Sequence, residues 1–168
     1  MSPPRTLTPG RWRRLTAAER ALAQAVFGAG LDTARLTLLA LPLWGRAFVA
    51  GPGLICWPAG SARLDFAAPE APLRLQAMFV HELAHVWQAQ NGVNLLWAKL
   101  RAGDGPRAYA YDLVSGPPFE ALNIEQQAMM VEHAFLAARG ANAPHPGAAY
   151  AAALPAALPL AFDVGRAA

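Results

Sequence analysis

The sequence predicts an α+β domain built from helices and a small antiparallel or mixed sheet, and three observations lead there. Residues 16–19 (Thr-Ala-Ala-Glu) and 123–126 (Asn-Ile-Glu-Gln) both read as capping boxes, each followed by apolar residues at helical spacing. Short runs rich in apolar and β-branched residues lie between them, at 35–40, 46–50 and 54–57. The last two flank Gly51-Pro52-Gly53, whose glycines suit a hairpin turn.

In chain order, residues 1–13 are rich in Pro and Arg and are expected to be flexible. The first helix should cover 17–27 and stop at Gly28 and Gly30. The strand at 35–40 and the hairpin at 46–57 follow, then a linker over 59–71. Pro72, with its φ preset, suits the first turn of a long helix that should run to Gln90 and end before Gly92. Gly103, Gly105, Pro106, Gly116 and Pro117 break the next stretch, so 92–117 reads as an extended connection carrying Tyr109 and Tyr111 and walling a cleft. The second capping box starts a helix that continues to Arg139 and terminates at Gly140. Beyond it the chain is dominated by Ala and Pro, an extended or partly disordered tail. The domain is therefore placed at 14–142, with 1–13 and 143–168 outside it.

Composition sets limits on function. The chain has 168 residues, enough for one core, and its 55% apolar and 15% charged content excludes a charge-rich disordered polypeptide. A formal charge of +3 is spread out apart from Arg11, Arg13 and Arg14, with no aromatic-interleaved basic patch, so nucleic acid is not an expected partner. The single cysteine, Cys56, cannot form an internal disulfide and reads as a small apolar strand residue. Arginines ahead of the apolar run at 21–31 imitate a secretion signal, but Glu19, Arg20 and Gln24 interrupt it. Neither a signal peptide nor a membrane span is expected; the reading is a cytoplasmic bacterial protein, with any export by a route that needs no signal peptide. The five tryptophans read as core or cleft-rim aromatics.

The informative stretch is Phe-Val-His-Glu-Leu-Ala-His-Val-Trp-Gln, residues 79–88. On a helix, His81 and His85 lie one turn apart on one face and can aim their imidazoles at one point. Glu82 sits about 100° round from His81, where its carboxylate can act on an attacking water without ligating an ion. Two imidazoles and a carboxylate among so many apolar neighbours would be costly to bury unpaired. This is the His-Glu-x-x-His pattern of zinc peptidases, and Zn²⁺ there takes a third protein ligand. Asp104, Asp112, Glu120, Glu125, Glu132, His133 and His145 are available. Glu125 is preferred, because it opens a second long helix that can pack beside the first. Tyr111 and Tyr109 are the hydroxyls available to donate to an oxyanion, with packing as their other reading.

With the segments Tyr-Ala-Tyr-Asp-Leu (109–113) and Asn-Ile-Glu-Gln-Gln-Ala (123–128), the motif resembles the gluzincin branch of the zincin metallopeptidases. It is more closely similar to small bacterial zincin-like domains labelled Vgr-related, which occur near contractile-injection or type VI secretion genes. The resemblance covers roughly residues 15–140. It implies a minimal zincin-like fold, His81, His85 and Glu125 as zinc ligands, Glu82 as catalytic acid and base, a peptide or protein substrate, and secretion-system components as partners. Many gluzincins carry an Asp one turn after the glutamate ligand; here Ala128 and Met129 stand in that region, leaving a histidine's partner to Glu132 or a backbone carbonyl. The expected activity is zinc-dependent hydrolysis of peptide bonds, with an extended substrate added to the strands at 46–57. A non-catalytic adaptor on the same fold, and an effector peptidase delivered to another cell, are the competing expectations.

Overall fold

In the computed structural model, residues 6–160 are described. They form a mixed four-stranded sheet and six α-helices: β1 (Trp12–Arg14), α1 (Ala17–Phe27), β2 (Thr37–Leu41), β3 (Phe48–Val49), β4 (Leu54–Pro58), α2 (Leu73–Gln90), α3 (Leu95–Ala102), α4 (Pro106–Tyr109), α5 (Ile124–Ala138) and α6 (Gly147–Ala153). The spatial order of strands is β1-β2-β4-β3. The β3–β4 hairpin is antiparallel, with Val49 opposite Ile55, and Gly51 takes φ +85 in its turn. β2 runs parallel to β4, with Leu39 opposite Cys56, and β1 closes the far edge antiparallel to β2. The parallel pairing makes the sheet mixed. Local signals specify a hairpin but not which neighbour a strand from elsewhere joins.

Both predicted capping boxes are present. The Thr16 hydroxyl accepts from the Glu19 amide at 3.0 Å, and the Glu19 carboxylate accepts from the Thr16 amide at 2.9 Å. Asn123 and Gln126 make the same reciprocal pair at the start of α5, and Gly140 adopts φ +68 beyond its end. α2 is buried on nearly every side, from Leu75 through Val86, which explains its lack of a clean polar face. It packs against α1 and the sheet and lies along α5. Phe79 stacks on Phe66 at 4.9 Å between ring centres, and Phe66 in turn meets Trp57 at 4.4 Å. Cys56 is buried on β4, as a small apolar strand residue should be.

Several expectations are corrected. Residues 12–14 are not loose: β1 is held in the sheet, and Arg13 reaches back to the buried Glu19 with two contacts of 2.6 Å. Residues 1–5 of the segment expected to be flexible lie outside the described residues. The stretch 92–117 contains α3 and α4 instead of extended chain, because Asn94 caps α3 by accepting from the Trp97 amide and Pro106 occupies the first turn of α4. The tail also enters the core. Tyr150 on α6, Leu154 and Leu158 are buried, and α6 packs against α5. Ala-rich composition concealed these three apolar anchors; residues 161–168 of the tail lie outside the described residues. Trp57 is a core residue and Trp44 a rim residue, whereas Trp12 and Trp97 are exposed and do not line the cleft.

Candidate metal centre

A cleft of about 990 Å³ opens between the β3 hairpin and the helices. Residues 44–52 form one wall, α2 supplies Met78, His81, Glu82 and His85, and Lys99, Glu125 and Glu132 come from α3 and α5. β3 is one of the two edge strands of the sheet, bonded on one side to β4, and it borders this cleft.

α2 places His81 and His85 one turn apart, with ring centres 4.9 Å from each other. Packing of α2 on α5 brings Glu125 to both. Its Oε2 lies 3.5 Å from His81 Nε2 and 3.4 Å from His85 Nε2. One ligand atom from each of the three residues falls within 4.8 Å of the others, and all three residues are buried. Of the other residues considered for the third position, Asp104 bonds Lys99, Asp112 caps its own turn at the amides of Val114 and Ser115, and Glu120 is exposed. His133 and His145 belong to a separate cluster with Tyr111 and Tyr150.

The hydrogen bonds around the histidines determine which nitrogens face the centre. His81 Nδ1 lies 3.0 Å from Glu132 Oε2, so the proton on that ring belongs at Nδ1. His85 Nδ1 lies 2.8 Å from Gln88 Oε1. The Gln88 amide cannot be reversed, because its Nε2 donates to the Ile124 carbonyl and to Gln127 Oε1. His85 must therefore donate from Nδ1 as well. Both Nε2 lone pairs are left pointing at a carboxylate oxygen in a buried place, an arrangement that repels unless a cation or a proton lies between them. The charge balance agrees. Burial alone would lower the pKa of His81, but its hydrogen bonds to Glu125 and Glu132 overcome that and push it up to about 9. Burial works the other way on Glu125; the two histidines and Lys99 hold its carboxyl well below the usual carboxylate range. The donor set of two imidazoles and one carboxylate, its convergence and its outer partners all fit a metal ion.

Glu82 is buried beside this group, and its Oε2 has no hydrogen-bond partner among the described residues. Desolvation raises its pKa above the ordinary carboxylate value, against the pull of His85 and His81. Tyr111 does not join the site. Its hydroxyl sits 2.7 Å from His133 Nδ1 and 2.9 Å from the Tyr150 hydroxyl, and it is absent from the cleft lining. Tyr109 is the tyrosine that lines the cleft, its oxygen accepting from Lys99 Nζ at 3.0 Å and Arg46 Nη2 at 3.2 Å. Sequence reasoning missed Gln88 and Lys99. Gln88 had a legible signal, a polar residue one turn after His85 in an apolar run; Lys99 had none.

Fold and site together define a class: an α+β domain with a buried two-histidine, one-carboxylate group, able to hold a metal ion, in the lining of a cleft. No family model matches the chain. Over 134 residues, 74% of this chain, it is 33% identical to the type VI secretion system spike protein VgrG2b of Pseudomonas aeruginosa, and it spans only 13% of that protein's length. Among solved structures, the effector domain of Pseudomonas aeruginosa VgrG2b matches with a TM-score of 0.64 and 32% identity, covering 83% of this chain and 80% of that one. The chain belongs to the family of the VgrG2b effector domain. Among the described residues, no helix is long and apolar enough to cross a membrane.

Proposed function

We propose that this chain acts as an effector-type domain of a type VI secretion apparatus and that its cleft is the active site of a zinc-dependent peptidase of zincin type. The first half draws on kinship with the effector domain of a spike protein. The second rests on one observation: two imidazole lone pairs and a carboxylate oxygen converge in a buried place where only a cation or a proton removes their repulsion.

His81, His85 and Glu125 would hold the zinc. When bound, the ion polarises a carbonyl and makes a water acidic near neutral pH. The rest falls to the chain's own residues. Glu82, with a raised pKa and an unpartnered oxygen, accepts a proton from the attacking water and delivers it to the leaving amine. An extended peptide pairs with the free edge of β3, which orients its backbone along the cleft. Tyr109, rather than Tyr111, offers a hydroxyl within reach of that path. A competing reading keeps the fold and the ion but not the chemistry: a binding platform or accessory of the secretion apparatus, favoured by likeness to a type VI secretion spike protein.

Metal analysis with Glu82→Gln separates the two readings. The parent is expected to carry about one zinc per chain and to cleave members of a quenched-fluorescent peptide library. Glu82→Gln should retain the zinc and lose cleavage. Zinc bound by a parent that cleaves nothing leaves the platform reading; cleavage by Glu82→Gln at the parent rate removes Glu82 from the reaction.

A further inference from the structure

Glu125 uses its two oxygens differently. Oε2 faces the imidazoles, while Oε1 accepts from Lys99 Nζ at 2.7 Å. The same ammonium donates to the Tyr109 hydroxyl at 3.0 Å and lies 2.9 Å from Asp104 Oδ1, so its three N–H groups have three acceptors. Lys99 is the only lysine in the chain. Both histidines face Oε2, so Lys99 is the group among the described residues that donates to Oε1.

This matters for what an ion would experience. A carboxylate free to turn can offer a cation one oxygen or both, and the second oxygen would fill a position that a three-ligand site otherwise keeps open for water or substrate. An ammonium on Oε1 withdraws that oxygen. Asp104 offsets the ammonium's charge, so the cation site is not set against an uncompensated positive group.

We propose that Lys99 is a positioning residue that holds Glu125 to one-oxygen ligation and thereby keeps one position at the ion open. The proposal rests on reading His81, His85 and Glu125 as a metal site. Cobalt(II) added to the intact, metal-free chain tests it, because its visible ligand-field bands lose intensity as coordination number rises. Normalised per bound cobalt, the parent and Lys99→Arg should give the intense spectrum of a low-coordinate ion, and Lys99→Met a weaker one. A Lys99→Met spectrum superimposable on the parent's overturns the proposal while leaving the metal site standing. Failure of the parent itself to take up cobalt is a different result and removes the metal reading together with the proposal. Melting temperatures recorded alongside show whether each variant folds; if Lys99→Met does not, Lys99→Leu, which also lacks a donor, makes the same comparison.

Discussion

Glu19 and Glu125 are both buried carboxylates in the first turn of a capped helix, with exposures of 0% and 4%. Glu19 is saturated. Two nitrogens of Arg13, the Thr16 amide and the Phe66 amide all donate to its two oxygens at 2.6–2.9 Å. Glu125 has one oxygen on Lys99 and the other turned toward the Nε2 atoms of two imidazoles, 3.4–3.5 Å away. Both carry the burial cost of a carboxylate, but only Glu19 recovers it entirely from protein donors. A buried acid whose partners are complete ties elements together, here β1, α1 and the 59–71 segment. One that faces two imidazoles at 3.4–3.5 Å is instead arranged so that it could hold a metal ion.

That contrast breaks most sharply by removing each acid. Glu125→Ala, like His81→Ala, should abolish stoichiometric zinc binding while the chain still melts cooperatively, as read by metal analysis and calorimetry. Glu19→Ala should do the reverse, costing about 3 kcal/mol because the Arg13 guanidinium keeps some access to water once its partner is gone. Denaturant unfolding measures it, and zinc stoichiometry should hold in whatever fraction remains folded. A Glu19 variant of unchanged stability would show that saturation was not what held β1.

Gln88→Ala sharpens the comparison at intermediate size. It deprives His85 Nδ1 of its acceptor without touching a ligand, and should weaken zinc affinity about tenfold in a competition titration with a chelator. Tyr111→Phe is the smallest. It removes one part-buried hydroxyl from the His133–Tyr150 cluster, should cost about 1 kcal/mol, and should leave zinc binding unchanged. A Tyr111→Phe variant that folds normally but loses cleavage would return that residue to the active site.

Much of this was legible in the residues. Capping boxes, the Gly51-Pro52-Gly53 turn and the Pro72 start are local events, dictated by a few neighbouring side chains, and the elements they announce are present. The placement of His81, Glu82 and His85 is local too, since helix periodicity alone brings the histidines to one face. The stretch 92–117 was misread because its glycines and prolines do not interrupt α3 and α4 but separate and open them. The two tyrosines at 109 and 111 show where local reasoning ends. They stand two residues apart, yet one lines the cleft and the other joins His133 and Tyr150, because α4 stops at the first of them.

The sequence by itself determined the helices, their caps, the turn between β3 and β4, and a pair of imidazoles on one face beside a carboxylate. Only the tertiary structure decided that β2 lies parallel to β4, that Glu125 completes the group, that Glu132 and Gln88 orient the two rings, and that Lys99 holds the far oxygen. Local elements follow from torsional preferences and hydrogen bonds within a few residues. The site instead depends on how α2 lies along α5 and where α3 comes to rest, and those positions are set by the whole core rather than by any segment of it.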